Sequence, residues 1–256
     1  MLHPASSPAT AAALSASVRA RRPAASASGP WRALLELLFP PRCVGCSVRG
    51  TLLCEPCREL MPPLPAEVCR RCGMTRPLLA PKACRACPRL AEPLELVRAA
   101  YIYEGTARKA VHVLKFRAGP QMAPVLGGLM REGLRRRPLR AEVVVPVPLA
   151  AGRERKRGYN QAALLARHVA PGLGAELATR VLEREDRPAQ VNLGAADRLD
   201  NLRGSIRCVA PGQVRGRRVV VLDDVMTTGA TLSACAEALA EGGAAQVMGV
   251  VFARTL

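Results

Sequence analysis

The chain has 256 residues, 49% hydrophobic and 23% charged, a composition that sustains a buried core and excludes a disordered protein. No apolar run reaches the ~18 residues of a membrane-spanning helix, so a transmembrane segment is excluded. The formal net charge of +18 is spread along the chain; it suits polyanionic ligands, and the Arg-heavy, Lys-poor usage fits compositional bias equally well.

Residues 1–30 are rich in Ala, Ser, Pro and Arg, contain no acid and lack an apolar signal core. They read as a disordered extension or a misplaced start, with a transit peptide as the alternative. Trp31 to Phe39 is a short apolar helix candidate stopped by Pro40-Pro41, suited to packing on the next domain. Eight of the ten cysteines then fall in four Cys-x-x-Cys pairs: Cys43/Cys46, Cys54/Cys57, Cys69/Cys72 and Cys84/Cys87. Each pair supplies two corners of a tetrahedron, and two pairs close a Cys₄ shell of the structural kind. The segment has little periodic hydrophobicity, so two Zn²⁺ ions would supply the folding free energy it lacks. Local pairing of neighbouring knuckles and a cross-braced pairing both satisfy the spacing. Gly45 and Gly73 fit the knuckle turns. Metal-bound thiols point to a reducing compartment, the cytoplasm.

From residue 98 the pattern changes to alternating strands and helices. The spacing predicts strands over 97–103, 142–147, 176–182, 205–209, 217–222 and 246–253. Helices are predicted over 106–116, 121–137, 155–168, 195–203 and 230–241, and a loop over 183–195. Continuous apolar strands alternating with helices predict an α/β fold with a mostly parallel sheet covered on both faces. The chain therefore divides into 1–30, a helix and zinc module over 31–97, and an α/β domain over 98–256.

Val219 to Thr231 is the most specific run. An apolar strand ends in Asp223 and Asp224, and the turn Val225-Met226-Thr227-Thr228-Gly229 opens into a helix at Ala230-Thr231. Turn amides and the helix N-terminus form a cradle for a phosphate, and the two carboxylates suit the hydroxyls of a ribose on the same ligand. The run lacks the Lys of a nucleotide-binding P-loop.

This stretch resembles the phosphoribosyl pyrophosphate motif of type I phosphoribosyltransferases. Together with Leu114-Lys115-Phe116, Pro146-Val147, the block Arg155-Lys156-Arg157-Gly158-Tyr159-Asn160-Gln161 and the cysteine ribbons, the chain is similar to the ComF family of competence-associated proteins. The resemblance implies a type I phosphoribosyltransferase-like fold. It implies that Asp223 and Asp224 hold ribose hydroxyls and that Thr227, Thr228, Gly229, Ala230 and Thr231 hold the 5-phosphate. Pro146 and Val147 would receive the pyrophosphate with Mg²⁺, and Lys115, Arg155 and Arg157 would lie near the diphosphate. Two functions are implied: phosphoribosyl transfer to an acceptor, or a non-catalytic adaptor for single-stranded DNA and DNA-uptake proteins. For DNA, Arg70, Arg71, Arg76, Lys82, Arg85 and Arg89 offer a basic patch beside the second knuckles.

Overall fold

A computed structural model describes residues 40–65, 67–75, 84, 86–117, 119–185 and 204–256, and those from Pro41 onward belong to one compact unit. Its centre is a five-stranded parallel sheet, ordered β1 (Leu94–Ile102), β7 (Gln246–Arg254), β6 (Arg218–Met226), β2 (Val143–Pro146) and β3 (Glu176–Leu177). Strand alternation divides the core. Val143, Val145, Val219 and Val221 pack with Leu232, Cys235 and Leu239 of helix α6 (Ala230–Glu241). Val144, Val220 and Leu222 meet the other face, covered by α2 (Gly105–Phe116), α3 (Gly119–Arg136) and α5 (Gln161–Leu173). Helices on both faces are why these strands read as unbroken Val and Leu.

The strand expected over 217–222 continues to Met226, so the acidic pair lies inside β6. The helix expected over 155–168 is two helices, α4 (Ala151–Arg157) and α5. Gly158 takes the left-handed φ of +81° that ends α4, and Asn160 restarts the chain by accepting from the amides of Ala162 and Ala163 at 2.9 and 3.3 Å. The strand expected over 176–182 also divides. The chain turns at Thr179-Arg180, leaving β3 in the main sheet and β4 (Leu182–Arg184) paired antiparallel with β5 (Ile206–Cys208). The helices expected at 31–39 and 195–203, and most of the 183–195 loop, lie outside the described residues.

The cysteine segment, with the short helix α1 (Glu55–Glu59), lies along the free edge of β1. Leu64 N donates to Ala100 O at 3.1 Å, Ile102 N to Pro62 O at 2.9 Å and Val97 N to Arg71 O at 2.6 Å. An open parallel edge invites aggregation, and this segment satisfies it. Arg58 adds an ion pair to Glu132 of α3 at 2.5 Å. Among the described residues no helix is long and apolar enough to cross a membrane.

Candidate functional site

The two cysteine groups pair locally: Cys43, Cys46, Cys54 and Cys57 form one, and Cys69, Cys72, Cys84 and Cys87 the other. Within each, all sulfurs lie within 4.8 Å of one another. Close approaches are 3.5 Å (Cys43–Cys54), 3.6 Å (Cys46–Cys54), 3.4 Å (Cys69–Cys87) and 3.4 Å (Cys72–Cys84). A tetrahedron with Zn–S bonds of ~2.3 Å has edges of about 3.8 Å, so both groups fit a Zn²⁺ ion with no open position. Electrostatics agree. Burial pushes the Cys43 thiol up, but the amides of Cys54, Cys46 and Gly45 outweigh it and bring it down to about 6. Burial and the neighbouring thiols push Cys57 up to about 12, so four thiolates would share this site only around a cation.

The knuckles share one turn. Ser47 N donates to Cys43 O at 2.8 Å, and Gly73 N to Cys69 O at 2.9 Å. Both residues take a left-handed φ, +67° at Ser47 and +69° at Gly73. Gly45, expected to supply such freedom, has no positive φ; its role is space, since a Cβ there would stand 2.5 Å from Cys57 Sγ.

The second site lies at the carboxyl ends of the central strands. Strand alternation sends its two carboxylates to opposite sides of β6. Asp224 meets Lys115 of α2, with Nζ 2.8 Å from Oδ1 and the Asp224 side chain 3% exposed. Its Oδ2 is buried without a hydrogen-bond partner. A buried carboxylate oxygen left without a donor is costly, and a ligand hydroxyl or a water on a hydrated cation would satisfy it. Asp223 is half-buried, and its Oδ1 accepts from the Asp224 amide at 2.8 Å. Burial, then the charge of Asp224, pushes its carboxyl up to about 8 against the pull of that amide, Lys115 and Arg184. On the α6 side, burial and then Asp223 push the Cys235 thiol up.

Beyond the strand, Thr227 and Thr228 are exposed and Gly229 turns with φ +89°. A Cβ at Gly229 would collide with Leu90 and Met226. The first helical bond of α6 runs from Ser233 N to Gly229 O at 2.9 Å, so the preceding amides point out of the helix toward the turn. Thr228 Oγ1 accepts from Ala230 N at 3.3 Å. Thr231 is partly exposed in the first turn, whereas Val225 is half-buried and Met226 is buried beneath Gly229.

Pro146 pairs in register with Leu222, and Val147 N donates to Leu222 O at 2.9 Å, which brings that turn beside the acidic pair. Its shape is braced from the Arg-Gly-Tyr-Asn-Gln block. Asn160 Nδ2 donates to Val147 O at 2.9 Å, and Tyr159 donates to Leu114 O at 2.8 Å. These supports were missed as site residues, although the block itself was visible. Arg157 donates to Gln161 Oε1 and stands over the Phe116 ring at 5.3 Å, and Arg155 is exposed on α4. The structure brings Lys115 to the acidic pair but gives neither arginine a contact with it. An open cleft of about 800 Å³ adjoins the turn, lined by Pro148, Tyr159, Asn160, Arg167 and Arg184 among others.

The strand end, the hydroxyl-rich turn and the paired cysteine centres define a protein of phosphoribosyltransferase fold carrying a double zinc ribbon. Residues 155–255 match the family model of the phosphoribosyl transferase domain, and 34–88 that of the double zinc ribbon domain. The DNA utilization protein YhgH of Salmonella typhimurium is 32% identical over 197 residues, covering 74% of this chain and 85% of that protein. The competence protein ComFC of Bacillus subtilis is 29% identical over 222 residues, covering 84% and 85%. A purine phosphoribosyltransferase from Pyrococcus horikoshii overlaps 51% of this chain and 70% of its own at 19% identity, with a TM-score of 0.33. The chain belongs to the ComF family.

Proposed function

We propose that this protein binds phosphoribosyl pyrophosphate with Mg²⁺ and transfers the phosphoribosyl group to an acceptor, in the service of DNA uptake or use. The observation that carries this reading is the unpartnered Asp224 oxygen, buried beside Lys115 on the strand that leads into the Thr-Thr-Gly turn. Asp223 and Asp224 accept the ribose hydroxyls or water on the cation. Val225 and Met226 shape the strand end, while Thr227, Thr228, Gly229, Ala230 and Thr231 take the 5-phosphate. Backbone amides at Pro146-Val147 meet the diphosphate, and Lys115, Arg155 and Arg157 supply positive field. A bound Mg²⁺ neutralises the departing pyrophosphate. The domains at work are the zinc module over 31–97 and the catalytic domain over 98–256, in a cytoplasmic protein. Pyrophosphate release from the donor with Mg²⁺ and a panel of acceptors in the cleft's size range tests it. Release that exceeds the acceptor-free rate supports transfer, and none with any acceptor removes the catalytic half.

For the adaptor reading the patch expected beside the second knuckles counts for less than a groove at the first. Arg71, expected on a DNA-facing patch, instead turns inward and donates to the carbonyls of Ala91 and Leu94 at 3.0 and 3.3 Å. Arg70 and Arg89 are exposed, and Arg76, Lys82 and Arg85 lie outside the described residues. A cationic groove at the first knuckle supports the reading instead: about 460 Å³, lined by Arg42, Lys109, His112 and Arg117 among others, with no acid. Phe116, 63% exposed, meets His112 at its edge with ring centroids 4.9 Å apart. Cations around an exposed ring suit a single strand of nucleic acid. Fluorescence anisotropy with Lys109→Ala and Arg117→Ala decides it: weaker binding with a flatter salt slope supports the groove, and unchanged binding removes it.

A further inference from the structure

Arg254, at the end of β7, is 1% exposed and is among the largest fully buried side chains. Its Nη1 donates to the carbonyl of Cys72, its Nε donates to that of Thr255 at 3.2 Å, and Nη1 lies 3.7 Å from Met226 Sδ. None of these partners carries a charge, and a guanidinium held in the core needs a negative counterpart. Burial works against its charged form and lowers its pKa, and the charges of Cys72, Cys84, Cys69 and Cys87 only partly oppose this; the contact of Nη1 with the Cys72 carbonyl puts the guanidinium beside that centre. Four thiolates around one Zn²⁺ carry a net charge of about −2, which is the counter-charge this cation lacks.

The same centre reaches the Thr-Thr-Gly turn by two routes. Through Arg254 it touches Met226, the last residue of β6, whose carbonyl accepts from Thr255 N at 3.0 Å. Through the chain after Cys87 it places Leu90 against Gly229, and Ala91 N donates to Ser233 Oγ at 3.0 Å in the first turn of α6. Cys69 and Cys72 belong to the same buried cluster as Met226 and Leu232. Among the described residues the first centre sits beside α2 instead: a Cβ at Gly45 would stand 3.4 Å from Thr106 Cγ2.

We propose that the Cys69/Cys72/Cys84/Cys87 centre, with Arg254 as its counter-ion, holds the Thr227–Thr231 turn in its anion-binding shape, so that metal loss there loosens the turn while metal loss at the first centre does not. The turn's anion role rests on the function proposed above. The coupling itself is read without any phosphoribosyl ligand, so a failure of donor binding and a failure of this coupling are separate results.

Hydrogen exchange on the full-length, zinc-loaded protein tests it. In Cys84→Ser, peptides covering 226–233 should exchange at least about tenfold faster than in the unaltered chain, whereas Cys46→Ser should leave them unchanged. Equal effects of the two variants, or none from Cys84→Ser, overturn the proposal. Should Cys84→Ser fail to fold, stepwise chelation of the unaltered protein gives the same comparison as zinc leaves each centre in turn. The counter-ion role has its own readout in the rate of zinc transfer to a chromophoric chelator. Arg254→Met should speed release of one of two ions by about tenfold, and Arg254→Lys, which keeps the charge, should restore retention. Equal retention in Arg254→Met and the unaltered chain overturns that role.

Discussion

Asp223 and Asp224 are neighbours in sequence with different electrostatic lives. Asp224 is held by Lys115 at 2.8 Å, while Asp223 keeps its proton up to about 8 because burial and then Asp224 oppose its charge. The folded pKa of Asp223 lies above the ~3.9 of an unfolded chain, so its contribution is fully present below about pH 4 and is lost as pH rises through about 8. Thermal melts of the unaltered chain and Asp223→Asn should therefore diverge across that window, the variant gaining relative stability as pH rises; parallel curves would contradict the assignment. Lys115→Met should cost about 1–3 kcal/mol in urea denaturation, since it strips Asp224 of a charge-assisted bond. A loss indistinguishable from zero would mean the pair is not formed in solution.

At the scale of elements, small residues set the geometry of both centres. Gly45→Ala should drop bound zinc from two ions to one, because its Cβ would enter the space of Cys57; elemental analysis returning two would show that the knuckle yields. Asn160→Ala removes the cap of α5 and the brace on Val147 together, and should cost about 0.5–2 kcal/mol for the cap alone in urea denaturation. Much of this architecture is legible in the sequence. The cysteine pairs, the parallel sheet and the strand–turn–helix at Asp223 are written in contiguous residues, where spacing and alternation are local signals. The features that are not legible depend on contacts distant in sequence. The break at Gly158 needs a left-handed φ that periodicity does not reveal, and the inward turn of Arg71 needs the carbonyls of Ala91 and Leu94. Lys115 is visible as a basic residue, but its place on Asp224 comes only from how α2 packs on β6.

For the whole molecule, the cysteine segment is part of the core rather than an appendage. Cys69 and Cys72 are buried with strands β2, β6 and β7, and the segment covers the open edge of β1. Loss of zinc is therefore shared by the ribbons and the α/β domain rather than confined to the ribbons. Removing zinc should lower the melting temperature of the whole unit in a single transition, as followed by calorimetry at matched protein concentration. A zinc-free protein with an unshifted main transition would mean the edge is dispensable.

The central claim is that the acidic pair and the Thr-Thr-Gly turn form a site for phosphoribosyl pyrophosphate. Calorimetric titration of the zinc-loaded protein with that donor and Mg²⁺ tests it most directly, using the unaltered chain and Asp223→Asn/Asp224→Asn. At about pH 9, where Asp223 has lost its proton as well, two charge-assisted bonds of about 1.5–3 kcal/mol each predict at least about a hundredfold weaker binding in the double variant, with its fold intact. Binding of equal strength in both proteins, or no binding to the unaltered chain, would contradict it.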